Sequence, residues 1–127
     1  MNKPYLQHAH IICRDLQGMI DFWVDVLGAT FVEKRTFGAA DGAVLTMNSV
    51  TEIYLKQLDC EPQDSTAPRT GFEHPGLVIE GLDALLDKVR TLPGCKVTKE
   101  PFMSGPRRCA FIAGPEGVLV EVMEDPK

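Results

Sequence analysis

The sequence predicts an α+β fold of two βαβββ modules, related by an internal repeat, forming a cupped mixed sheet with helices outside. Three observations predict it. The second half of the 127-residue chain repeats the first at an offset of 66 residues, and a repeat governs how everything else is read. Each half runs strand, helix, then strands. Turn signals part the segments at matching places.

The repeat is legible residue by residue. His8 pairs with His74, and Leu16, Met19, Ile20 and Trp23 pair with Leu82, Leu85, Leu86 and Val89. Leu27-Gly28 matches Pro93-Gly94, and Val44-Leu45 matches Ala110-Phe111. In the first half, Gln7 to Cys13 is a short apolar run. Period two puts His8, His10 and Ile12 on one face and Ala9, Ile11 and Cys13 on the other. Asp15 offers an N-cap to a helical stripe of Leu16, Met19, Ile20, Trp23 and Leu27, with Gly28 as the C′ residue that ends it. Strands follow near Phe31–Lys34, Ala43–Met47 and Glu52–Lys56, parted by Gly38, Asp41-Gly42 and Asn48-Ser49. In the second half, Leu77–Ile79 is a strand and Leu82 to Arg90 a helix. Pro93-Gly94 breaks the chain. Strands follow near Lys96–Lys99, Arg108–Ala113 and Val118–Met123, with Gly114-Pro115-Glu116-Gly117 as the turn between the last two. One domain spans 1–127, with module 1 at about 6–58, a linker at about 59–71 and module 2 at about 72–125.

Composition narrows the function. The chain is 44% hydrophobic and 24% charged, with a net charge of -5. An acidic chain with scattered basic residues lacks the stripe that binds nucleic acid. No apolar stretch is long enough to span a membrane. Met1-Asn2-Lys3-Pro4 lacks the apolar run of a signal peptide, so a cytoplasmic location is expected. The four cysteines, Cys13, Cys60, Cys95 and Cys109, have no CxxC spacing and read as free thiols.

Chemistry concentrates in three residues. His8 and His74 begin the first strand of their modules. Glu121 sits in Val118-Leu119-Val120-Glu121-Val122-Met123, where period two groups it with Leu119 and Met123. A carboxylate so flanked is costly to bury unless it is paired or bound to metal. An edge strand that leaves Glu121 in solvent is the plainer alternative, and the two stand about even. A lone histidine is more often structural, but two at equivalent places in a repeat point to metal ligands. Two imidazoles and a carboxylate suit Zn, Ni, Mn, Co or Fe(II). Arg107 and Arg108 read first as a solvated strand-edge pair, and second as a contact for a substrate carboxylate or phosphate. Phe37, Phe102 and Met103 fall in loop-like positions, where they line a pocket or pack in the core.

These residues carry a resemblance. The runs His8 to Leu16, Asp21-Phe22-Trp23 through Gly28, His74 to Glu80, and Gly114 to Glu121 resemble the vicinal-oxygen-chelate superfamily. That superfamily includes glyoxalase I, methylmalonyl-CoA epimerase, extradiol dioxygenases, fosfomycin-resistance enzymes and bleomycin-binding proteins. The resemblance covers roughly residues 6–125. The spacing of a family histidine seven residues before the helix-opening Asp selects His8 over His10. The chain departs from the family in having Phe22-Trp23 for Phe-Tyr and Gly-Pro-Glu-Gly for Asp-Pro-Asp-Gly. The resemblance implies a divalent metal held by His8, His74 and Glu121, with a fourth residue from Glu52-Ile53-Tyr54-Leu55. Matching the module ends places Tyr54 opposite Glu121, where glyoxalase I and the epimerase have Glu or Gln. Tyr54 then stands beside the metal as a hydrogen-bonding group, and Glu52, on the same face, is the alternative ligand. The implied activity is lyase or isomerase chemistry on a small molecule, through a metal-chelated enediolate or oxyanion, with Glu121 as base. An Fe(II)-dependent dioxygenase is the first alternative, and a non-catalytic drug- or metabolite-binding protein the second. Small members of the family are commonly homodimers.

Overall fold

The computed structural model describes residues 3–62 and 68–127. Part of the expected linker, 63–67, and the first two residues of the N-terminal stretch lie outside the described residues. The chain divides into two compact units, Met1–Glu61 and Pro62–Lys127. Each unit holds one four-stranded mixed sheet. The α+β class and the two-module plan are what is observed.

Unit 1 contains β1 (His8–Cys13), α1 (Leu16–Asp21), a π-helical segment (Phe22–Val26), β2 (Thr30–Phe37), β3 (Ala40–Thr46) and β4 (Glu52–Gln57). The strand order is β1-β4-β3-β2, with β1 parallel to β4 and the other pairs antiparallel. Asp15 caps α1 as expected, its carboxylate accepting from the Gly18 N–H at 3.0 Å. Leu16, Met19 and Ile20 are buried, as are Leu45, Ile53 and Leu55 on one sheet face. His8, His10, Glu52, Tyr54 and Lys56 occupy the opposite face.

Unit 2 contains β5 (Gly76–Val78), α2 (Leu82–Thr91), β6 (Lys96–Ser104), β7 (Arg107–Ala113), a 3₁₀ turn (Pro115–Gly117) and β8 (Leu119–Glu124). Its order, β5-β8-β7-β6, repeats that of unit 1. Gly81 precedes α2 with φ of 76° and offers no capping side chain. The Glu124 carboxylate on β8 accepts from the Leu82 N–H instead, at 2.5 Å. Leu82, Val89, Ile112, Val120 and Val122 are fully buried.

Four expectations are corrected. The helix expected from Leu16 to Leu27 changes type after Asp21, the Leu27 N–H bonding back five residues to the Phe22 carbonyl at 3.2 Å. His74 does not begin a strand. Pro75 follows it with no N–H to donate, and β5 starts only at Gly76. Phe37, Phe102 and Met103 lie in strands, not loops. The repeat also shifts. Val44 faces Tyr54 across β3 and β4, and Phe111 faces Glu121 across β7 and β8. Val44-Leu45 therefore match Phe111-Ile112, one residue later than expected. The inserted residue lies in β6. The β2–β3 ladder slips once, between Phe31 and Glu33, whereas the β6–β7 ladder slips at the matching place and again between Lys99 and Phe102. Pro101 sits in that second bulge, where a missing N–H costs least.

Gly42 on β3 is the tightest glycine that bears on the site face. A Cβ there would come within 2.4 Å of the Leu55 carbonyl oxygen and 2.6 Å of the Phe37 ring. Gly42→Ala is expected to destabilise the protein by about 1–3 kcal/mol. Thermal unfolding checks it; an unchanged Tm would show that the Phe37 ring is not seated over Gly42.

Candidate metal centre

Unit 2 brings two of the expected ligands together. Glu121 lies on β8, an inner strand of the sheet, so the edge-strand alternative does not apply. Val120 and Val122 are buried on the other face, which turns Glu121 away from α2. Its N–H donates to the Pro75 carbonyl at 3.0 Å and so ties the strand to the histidine segment. His74 Nε2 lies 3.2 Å from Glu121 Oε1, and His74 Nδ1 lies 2.8 Å from Glu73 Oε1. The His74 and Glu121 side chains are 20% and 18% exposed, open enough for a ligand to reach. The His74 ring stands edge-on to Phe111, centroids 4.8 Å apart. Gly76 keeps space open beside the pair. A Cβ there would be 2.9 Å from the Met123 methyl and 3.9 Å from Glu121 Oε1.

Unit 1 builds the counterpart differently. His10 is the register partner of Tyr54, as Gly76 is of Glu121. Tyr54, not Glu52, therefore occupies the position of Glu121. The Tyr54 ring stacks on His8 with centroids 4.1 Å apart and planes inclined by 17°. His10 meets Tyr54 edge-on at 5.7 Å and Phe37 at 4.6 Å. The Arg35 guanidinium lies over the Tyr54 ring at 5.3 Å, which favours cation–π attraction. Glu52 accepts from the Gln7 amide at 2.6 Å. Gln7 Oε1 in turn lies 2.7 Å from His8 Nδ1 and 3.4 Å from the Tyr54 hydroxyl. Partial burial, then the Lys56 and His8 charges, lower the pKa of His10.

Among the described residues no three His, Cys, Asp or Glu side chains gather as a metal set. Of the expected ligands, the structure pairs His74 with Glu121 in unit 2 and places His8 on the sheet of unit 1. The donors of unit 2 nonetheless fit a divalent ion. An imidazole nitrogen and a carboxylate oxygen face each other, and the far side of the ring is already held by a carboxylate. Cys109 lies on the Glu121 face. Burial, then the Glu121 carboxylate, push its thiol pKa up, which disfavours the thiolate a metal needs. Arg107 and Arg108 are ion-paired, to Asp125 at 2.8 Å and to Asp83 at 2.8 Å, on an inner strand of the sheet. Gln7 and Glu73 were not anticipated as site residues. Their signal was present, because a polar residue directly precedes each repeated histidine.

Two βαβββ modules, each with a histidine beside the last strand of its sheet, define the class of vicinal-oxygen-chelate proteins. The chain belongs to the Glyoxalase/Bleomycin resistance protein/Dioxygenase superfamily, whose profile matches residues 5–122. It is 25% identical over 125 residues to a probable lactoylglutathione lyase from Synechocystis sp., covering 94% of this chain and 95% of that protein. Its fold is similar to a glyoxalase family protein from Bacillus cereus, with a TM-score of 0.84 and 18% identity over 99% of this chain and 97% of that one. It is also similar to an antibiotic binding protein from Streptomyces sp., with a TM-score of 0.71 and 18% identity over 98% of each chain. No helix among the described residues is long and apolar enough to cross a membrane.

Proposed function

We propose that the chain is a metal-dependent, small-molecule enzyme of glyoxalase type, with His8, His74 and Glu121 as metal ligands contributed by one chain or by two in a homodimer. The observation that carries this reading is the His74 Nε2–Glu121 Oε1 pair at 3.2 Å, with the other ring nitrogen anchored on Glu73. A bound Zn, Ni, Mn, Co or Fe(II) ion would supply Lewis acidity toward two neighbouring substrate oxygens. The chain's own residues do the rest. Glu121 takes a proton from the carbon next to a substrate carbonyl and returns it, the task of a positioned carboxylate. Tyr54 offers a hydroxyl to the same substrate from the equivalent place in unit 1. The relative's name makes lactoylglutathione the first substrate to try.

Elemental analysis of untagged, chelator-free protein tests the reading. About one metal per chain is expected, lost in His74→Ala and strongly reduced in His8→Ala and Glu121→Ala. No uptake after reconstitution with the five ions overturns it. A second reading, capture of a small molecule without turnover, is favoured by one observation. Where unit 2 has Glu121, unit 1 has Tyr54 in a cluster with His8, His10 and Phe37, a surface that suits a flat ligand. Oxygen uptake with Fe(II) bound would mark the dioxygenase alternative.

A further inference from the structure

We propose that the open sheet face of unit 1 binds a planar aromatic carboxylate, with the Lys56 ammonium taking its charge and the rings beside Lys56 taking its flat side. The inference rests on the reading of that face as a small-molecule surface, and it gives the ligand a chemical class. It concerns unit 1 alone.

Lys56 stands where the fold does not call for a charge. It lies on β4, an inner strand, opposite Ile12 of β1 on one side and Gly42 of β3 on the other. Lysine is depleted in strands. Where unit 1 pairs Ile12 with Lys56, unit 2 pairs Val78 with Met123. The module therefore folds with an apolar residue at this place, and the ammonium is an addition of unit 1.

That ammonium has no match. The same face holds two carboxylates, Glu33 and Glu52. Glu33 is engaged by Arg35, whose Nε donates to it at 3.0 Å. Glu52 accepts from Gln7 Nε2 at 2.6 Å, and it stands four residues from Lys56, about 13 Å along the strand. Among the described residues no hydrogen bond or ion pair reaches the partly buried Lys56 ammonium.

Rings flank it. The Phe37 ring lies over Gly42, the neighbour of Lys56 across the ladder. Phe37 meets His10 at 4.6 Å and Tyr54 at 5.5 Å between centroids. Ile12, on the other side, is 50% exposed. An apolar, aromatic surface beside an unmatched cation complements a ring that carries an anion. One ammonium balances one negative charge, which selects a carboxylate over a nearly doubly charged phosphate. A lysine accepts an anion from many directions, so the rings set the plane of the ligand.

Calorimetric titration of the full chain, treated with chelator so that no ion competes for the carboxylate, tests the proposal. Naphthoate, its neutral amide and cyclohexanecarboxylate separate charge from flatness. Naphthoate is expected to bind at least about tenfold more tightly than either of the others. Lys56→Met should bring naphthoate down to the level of the amide, and Lys56→Arg should hold it near wild type. Nuclear Overhauser contacts should run from the naphthoate protons to the Phe37 ring and the Ile12 methyls. A Lys56→Met protein that binds naphthoate like wild type overturns the proposal, as do contacts confined to unit 2. Equal binding of naphthoate and its amide overturns the carboxylate while leaving the face a surface for flat molecules. No binding of any probe removes both. Lys56 is only partly buried and methionine fills the matching place in unit 2, so both variants should keep the wild-type Tm.

Discussion

Glu121→Gln is expected to lower turnover of lactoylglutathione by about 10²–10⁴-fold, the range attributed to a positioned general base. The substitution keeps shape and size. Val120 and Val122 stay buried beneath the strand, and an amide still reaches His74 Nε2, now 3.2 Å from the carboxylate. What is lost is the ability to take a proton. Metal should be supplied in excess, so that weaker binding is not mistaken for slower chemistry. The loss should then fall on kcat, with the circular dichroism spectrum and Tm unchanged. Turnover equal to wild type would remove Glu121 from the role of base.

Trp23→Ala is expected to cost about 3–5 kcal/mol of stability. Trp23 is 0% exposed and is the largest side chain in the core. It lies in the π-helical segment, edge-on to Phe22 with centroids 6.2 Å apart. Its Nε1 is buried without a hydrogen-bond partner among the described residues. An unmet donor of this kind costs about 1–3 kcal/mol, so Trp23→Phe should be far milder than its lost volume implies. Urea unfolding checks both. Equal losses for Ala and Phe would mean that the indole N–H is in fact satisfied.

The sequence carried the architecture because its signals are local and duplicated. Asp15, the Leu16–Leu27 stripe and the turn residues act within a few positions of themselves, and a second copy repeats the stripe and the Gly28–Gly94 break, though not the cap, where Gly81 stands for Asp15. Features set by contacts across the sheet were not legible. Over a stripe as short as Leu16 to Leu27, spacings of three and four residues do not separate an α turn from a wider one, so the change after Asp21 stayed hidden. The strand expected near Lys96–Lys99 runs on through Pro101 to Ser104, because a proline is tolerated on an end strand at a bulge. The contact between His74 and Glu121 was legible in part, from a histidine repeated at equivalent places and from a carboxylate out of place in an apolar strand. Gln7 and Glu73 each precede a repeated histidine in the sequence, but a polar residue there is ordinary until its oxygen is seen on a ring nitrogen.

The bulges of β2 and β6 bear on how the protein behaves in a crowded solution. Both strands close their sheets at one end, and they run to eight and nine residues. Phe31, Val32 and Met103 are exposed on them. A long end strand with apolar side chains and unmatched backbone groups is a template on which a neighbouring molecule can add its own strand. In β6 the regular ladder never exceeds three consecutive rungs before a slip or the strand end. Pro101 removes a donor within the second slip, and Lys96 and Lys99 place charge along the same strand. The extra residue that spoils the symmetry of the repeat thus also breaks up the regular end strand that such pairing would need.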